Sequence, residues 1–151
     1  MEYRITTKDD IEILMAVRLE TIRRVNGLSD DHRFSDELIE RSKRYFLEGD
    51  QTTVVAEQDG MAVGCASISY IEVMPTLSHP TGKRAHLMNV YTRADYRRKG
   101  IARKLVGMLI DEAKEKGITE ISLDATDLGR ALYESLGFCK SDECMVMNLP
   151  K

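Results

Sequence analysis

The sequence predicts an α/β or α+β fold on a mixed central sheet. Segments with apolar residues at helical spacing alternate along the chain with β-branched apolar runs. Two of those runs are joined by Asp59-Gly60, a two-residue hairpin signal. The resulting order, βααβββαβαβ, interleaves the two kinds of element as layered domains do. With 151 residues the chain has the length of one domain with one core, so residues 1–151 are read as a single domain.

Tyr3 to Thr6 is a short first strand. Ile11, Leu14, Met15, Leu19, Ile22 and Val25 then recur at helical spacing, with Asp9 or Asp10 as cap and Gly27 as terminator. A second helix runs from the N-cap Ser35 to Glu48, with Leu38, Ile39, Tyr45 and Phe46 inward and Gly49 as its stop. Thr52 to Glu57 and Met61 to Val73 form the hairpin strands, and a loop with two prolines and a glycine leads to a fourth strand, Ala85 to Thr92. Gly100 to Lys116 is a helix with Ile101, Leu105, Met108, Leu109 and Ala113 on one face. A strand over Ile118 to Asp124, a short helix from Gly129 to Leu136 and a last strand over Cys144 to Leu149 complete the order.

The formal net charge is −3, which argues against nucleic acid as a partner. No run of about 18 apolar residues is present, so no membrane span is expected. The first residues, Met1-Glu2-Tyr3-Arg4, lack a signal-peptide stretch, and a cytoplasmic location is expected. Cys65, Cys139 and Cys144 match no zinc spacing and are read as reduced thiols. No HExxH or clustered ligand set appears, so no metal is expected, and no GxSxG elbow appears.

Basic charge is concentrated in Arg93, Arg97, Arg98, Lys99, Arg103 and Lys104, against the single acid Asp95. This segment joins a strand to a long amphipathic helix. A helix N-terminus leaves backbone N–H groups without partners and carries about half a positive charge. Gly100 lets an anion approach the backbone closely, and Ala102 leaves the first turn uncrowded. The pattern is neither GxxxxGK[ST] nor GxGxxG; by charge alone it suits a small polyanion of another kind or a basic loop that merely caps the helix and meets water.

Arg97-x-x-Gly100-x-Ala102 resembles the Arg/Gln-x-x-Gly-x-Gly/Ala signature of the GNAT N-acetyltransferase superfamily. Leu87 to Thr92 resembles that family's fourth strand, and Ala131-Leu132-Tyr133-Glu134-Ser135-Leu136-Gly137-Phe138 resembles its Leu-Tyr…Gly-Phe helix end. One helix and one strand separate the two signatures, as in the family. The resemblance covers residues 50 to 149 well and the first two helices less specifically.

The resemblance implies a mostly antiparallel sheet, flanked by helices, with a splay between its fourth and fifth strands. It also implies acetyl-CoA as co-substrate and transfer of the acetyl group to a primary amine by direct attack in a ternary complex. The acceptor is a small molecule, a peptide N-terminus or a lysine. The pyrophosphate would sit on Arg97, Arg98, Lys99, Gly100, Ile101 and Ala102, mainly on backbone N–H groups. Val90 and Thr92 would bond the pantetheine arm, and Thr126 falls where the family often has Asn. Tyr133 is the expected general acid, able to protonate the departing thiolate. The family's fourth-strand Glu is replaced by His86 and Met88 at the matching positions; His86 is a candidate base, with Glu72, water or an already neutral amine as alternatives. The missing Glu leaves open a CoA-binding regulatory module without catalysis. Homodimers, frequent in similar proteins, are expected by analogy alone. Arg18, Arg23, Arg24, Asp30, Asp31, Asp36 and Glu37 lie on the acceptor side, where both signs of charge occur.

Overall fold

A computed structural model describes all residues from Met1 to Lys151. Strand β1 (Glu2–Ile5) leads through a 3-10 turn at Lys8–Asp10 into helices α1 (Ile11–Val25) and α2 (Asp36–Glu48). Strands β2 (Gln51–Gln58), β3 (Met61–Glu72) and β4 (Lys83–Thr92) follow. After a 3-10 turn at Ala94–Tyr96 come α3 (Ile101–Glu115), β5 (Glu120–Leu123) and α4 (Arg130–Ser135). The sheet order is β1-β2-β3-β4-β5, antiparallel between neighbours except for the parallel pair β4 and β5, whose connection is α3.

The local signals act as the physics requires. Asp59 and Gly60 both take positive φ, +53° and +77°, and close the β2–β3 hairpin tightly. Ser35 caps α2 by accepting from the Leu38 N–H at 3.2 Å. At the start of α1 the expected Asp10 carboxylate cap does not form. Asp10 instead accepts from the Thr7 N–H at 2.7 Å in a capping box and from both terminal nitrogens of Arg4.

Two apolar layers clad the sheet. On one face Ile101, Leu105, Val106, Leu109 and Ala113 of α3 pack on Val54, Ala56, Ala66, Ile68, Ala85 and Leu87. On the other, Leu14, Met15 and Val17 of α1 and Phe46 of α2 cover Val55, Ala62, Cys65 and Tyr91. The approach of α3 depends on Gly64, where an added Cβ would lie 2.9 Å from the Ile101 Cγ2.

One expected element is absent. Cys144–Leu149 is not a strand: it has no ladder partner, and Met145, Val146, Met147 and Leu149 are exposed. A run of apolar side chains marks a segment able to enter a sheet, but a strand needs hydrogen bonds from a neighbour. On this side the sheet ends at β5, which is four residues long and pairs only with β4.

Candidate active site

The site is built around an irregularity in β4. The β3–β4 register passes from Cys65↔Tyr91 to Ser67↔Met88, so β4 carries one extra residue there. Asn89 takes a left-handed φ of +59° in this bulge. Neither register gives Asn89 or Val90 a partner, because pairing with β5 stops at Leu87↔Leu123. From Met88 onward β4 and β5 part, and the expected splay lies here. The bulge is held by side chains. Asn89 Nδ2 donates to Ser67 Oγ at 3.2 Å, Asn89 Oδ1 accepts from Arg18 Nη1 at 3.0 Å, and Cys65 Sγ donates to the Asn89 carbonyl at 3.2 Å.

Two cavities adjoin at this point. The smaller, about 210 Å³, lies in the splay between Leu87–Val90 of β4 and Leu123 and Asp124, and it is also lined by Thr126 and Tyr133. The larger, about 450 Å³, lies under α2 and is lined by Ser35, Leu38, Ser42, Tyr45, Phe46 and Ser67 among others. Arg18, Met88 and Asn89 line both. The structure thus brings Tyr133, Thr126 and Val90 to one chamber and leaves a second chamber open beside it.

The loop before α3 places its groups as an anion cradle. Gly100 is the N-cap, left-handed at φ +77°, with no side chain bonded across the helix end and no acid in the first turn. Nothing lies within 4 Å of where its Cβ would stand, so the space in front of the first turn is open. The Ile101 side chain is buried in the core, which leaves only its N–H for a ligand. The cations divide their work. Arg97 Nε donates to the Thr92 carbonyl at 3.1 Å, Lys99 stacks on Tyr96 with Nζ 5.3 Å from the ring centroid, and Arg98 is exposed at φ +63°. Arg103 donates to Ser135 Oγ and so ties α3 to α4. Thr92 Oγ1 is buried without a partner. An open, uncapped helix end beside a run of cations, with an orphaned hydroxyl nearby, fits a phosphate-bearing ligand with polar groups along its arm.

Tyr133 stands on α4 with its ring edge-on to Phe138, centroids 5.9 Å apart. Burial alone pushes its hydroxyl above the ordinary phenol value, so it carries its proton at neutral pH. His86 lines neither cavity; its Nδ1 is 2.7 Å from Ser122 Oγ and its Nε2 is 3.8 Å from Asp124. Glu72, at the far end of β3 opposite Lys83, is exposed and also lines neither cavity.

Asn89, Ser67 and Tyr45 were not among the expected site residues. Arg18 had appeared only as one of several acceptor-side charges. Its position carried a signal: it falls four residues after Leu14 and three after Met15, on the buried stripe of α1. A guanidinium at core spacing has a reason to be there.

The profile of the acetyltransferase (GNAT) family matches residues 19–138. The chain belongs to the GNAT acetyltransferase family. Human N-acetyltransferase 8 is 31% identical over 105 residues, which are 68% of this chain and 44% of that protein. The match therefore spans less than half of that relative's length. The [ribosomal protein bS18]-alanine N-acetyltransferase of Escherichia coli K12 is 40% identical over 57 residues, 36% of this chain and 38% of that one. Among GNAT structures, a predicted acetyltransferase from Clostridium acetobutylicum crystallised with acetyl-CoA superposes with a TM-score of 0.85 at 29% identity, covering 97% of this chain and 95% of that one. No helix of this GNAT chain is long and apolar enough to cross a membrane.

Proposed function

We propose that this chain is an N-acetyltransferase that moves an acetyl group from acetyl-CoA to a primary amine by direct attack within a ternary complex. The observation that carries this reading is that the two cavities adjoin, with Arg18, Met88 and Asn89 on the walls of both. A donor in the splay and an amine in the larger chamber then come into contact without a covalent enzyme intermediate.

In this reading Arg97, Arg98, Lys99, Gly100, Ile101 and Ala102 hold the pyrophosphate, chiefly through N–H groups of the loop and the first turn of α3. Val90, Thr92 and Thr126 bond the arm of the co-substrate. Acetyl-CoA supplies an activated acetyl thioester. The Val90 N–H, outside both ladder registers, donates to the thioester oxygen as negative charge develops on it. Tyr133 gives its proton to the departing sulfur. The amine loses its own proton to water rather than to His86, whose ring is engaged by Ser122 and Asp124.

Calorimetric titration with acetyl-CoA tests the cradle, with wild type beside Gly100→Glu, followed by thiol release over a panel of amines. Micromolar binding that is lost in the variant supports the reading. A folded wild type that binds no acetyl-CoA would discard it.

A further inference from the structure

We infer that the acceptor is a small amino carboxylate, and that Arg18 is the residue that selects it by pairing with the carboxylate. This inference rests on the acetyltransferase reading above and names its substrate class.

Arg18 is half-buried on α1, and its one side-chain hydrogen bond within the chain goes to the neutral amide oxygen of Asn89 at 3.0 Å. Three other arginines near it are paired with carboxylates. Arg24 meets Asp30 at 2.7 Å, Arg93 meets Glu20 at 2.7 Å, and Arg41, which also lines the larger cavity, meets Glu37 at 3.3 Å. Arg23 is also without a carboxylate, but it lies over the Phe34 ring, bonds the His32 carbonyl and lines neither cavity. Arg18 takes part in none of the ion pairs. Of the ionisable groups around it, Tyr45 and Cys65 are held by burial above their ordinary values, the thiol at about 12, so both stay neutral; Glu37 and Asp124 line the same cavities, but neither pairs with Arg18.

A guanidinium cannot shed its charge in a protein, so a desolvated one without a counter-ion is costly until an anion arrives. The place to receive that anion is defined. Arg18 is on the wall of both cavities, so an anion on its free nitrogens lies beside the junction where the amine must sit. Amine and carboxylate are therefore close together in one molecule. A peptide N-terminus does not offer this, since its nearest carbonyl is an amide and leaves the cation unneutralised. The larger chamber matches the rest of such a molecule. Leu38, Phe46 and Met88 give an apolar wall, while the hydroxyls of Ser35 and Ser42 give it polar points. Asn89 fixes the direction of Arg18. Its amide is oriented from behind by Ser67, which in turn is 2.6 Å from Thr53. The guanidinium is pre-positioned and loses little freedom on pairing.

The test uses methionine, leucine and phenylalanine, each beside its primary amide and its decarboxylated amine, in thiol-release assays at saturating acetyl-CoA. Wild type is expected to favour each acid over its amide by 10-fold or more in kcat/KM. Arg18→Gln keeps a donor to Asn89 but should erase the preference through KM, and Arg18→Lys should restore part of it. Equal kcat/KM for acid and amide in wild type overturns the inference while leaving acetyl transfer intact. So does a fall in kcat common to all three series in Arg18→Gln with the preference retained, which would place Arg18 at the thioester oxygen instead. Should no compound be acetylated, calorimetry of the CoA-saturated protein with the same acids and amides decides. Arg18-dependent binding of the acids alone upholds the site, and its absence overturns it. Failure to bind acetyl-CoA itself is a separate result and strikes the acetyltransferase reading.

Discussion

Glu20 on α1 accepts two hydrogen bonds from Arg93 at the end of β4, at 2.9 and 2.7 Å. The bidentate pair fastens the acceptor-side helix to the strand that leads into the anion cradle. Arg93 is also held by its backbone, whose N–H donates to the Val63 carbonyl at 2.9 Å. Arg93 therefore keeps Glu20 below the usual carboxylate range. Glu20→Gln should lower stability by about 2 kcal/mol, read as the midpoint of urea unfolding at neutral pH. Its acetyl-CoA affinity should fall as well, because the start of the loop is no longer braced.

Acid stability should trace to a second pair. The Arg4 guanidinium holds the Asp10 carboxyl at about 2, below the 3.8 of a free aspartate, with the Thr7 N–H assisting. A depressed folded-state value contributes stability that is complete above the unfolded value and is lost as pH falls through the folded one. The gap in urea midpoint between wild type and Asp10→Asn should be full at pH 5 and shrink steadily towards pH 2. A gap that does not change over that range would show that the pair is not the cause.

Two glycines touching the same helix should respond in opposite directions. Gly64→Ala drives a methyl against Ile101 Cγ2 and Leu105 Cδ1, at 2.9 and 3.3 Å, and should cost about 1–3 kcal/mol. It should also weaken acetyl-CoA binding, since Ile101 opens α3. Gly107→Ala, in the interior of α3 with nothing within 4 Å of the new Cβ, should stabilise by about 0.5–1 kcal/mol. Thermal melts of the two variants beside wild type give the comparison.

Tyr133→Phe should lower kcat by about 100-fold while changing the KM for acetyl-CoA much less. Because burial raises the Tyr133 hydroxyl above the ordinary phenol value, its protonated form persists through neutral pH. The wild-type rate should then show an alkaline decline that the variant lacks. An unchanged kcat would remove Tyr133 from the reaction.

The parts of the fold legible in the sequence were those whose signals are local. The α1 stripe, the Ser35 cap, the Asp59-Gly60 turn and the Gly100 helix start each depend on residues within a few positions of one another, and the structure places them as read. Cys144–Leu149 was misread because its composition suits a strand while the partner that makes a strand lies elsewhere in the chain. The Asn89 bulge has a single weak mark, an Asn, which is depleted in strands and tolerant of left-handed backbone, in a run that otherwise reads as continuous strand. The charges near the acceptor side were uninformative as a list. Only after Arg24 and Arg41 were assigned their carboxylates did Arg18 stand out as the arginine on both cavity walls that has none. The thiols divide in the same way: Cys65 is the small buried hydrophobe its context suggests, whereas Cys139 and Cys144 are exposed.

The single extra residue in β4 also governs how this protein can diversify. Ala85 and Leu87 face the α3 layer, and strict alternation would send Tyr91 there too, yet Tyr91 lies in the layer under α1 and α2 while Val90 packs towards α3. The strand has therefore changed sides part-way along. Odd-numbered positions before the bulge and after it are felt by opposite layers of the sheet, so the two halves of β4 can vary independently in what they pack against. Deleting one residue there would undo that independence at a stroke, by turning every side chain on one half of the strand inside out.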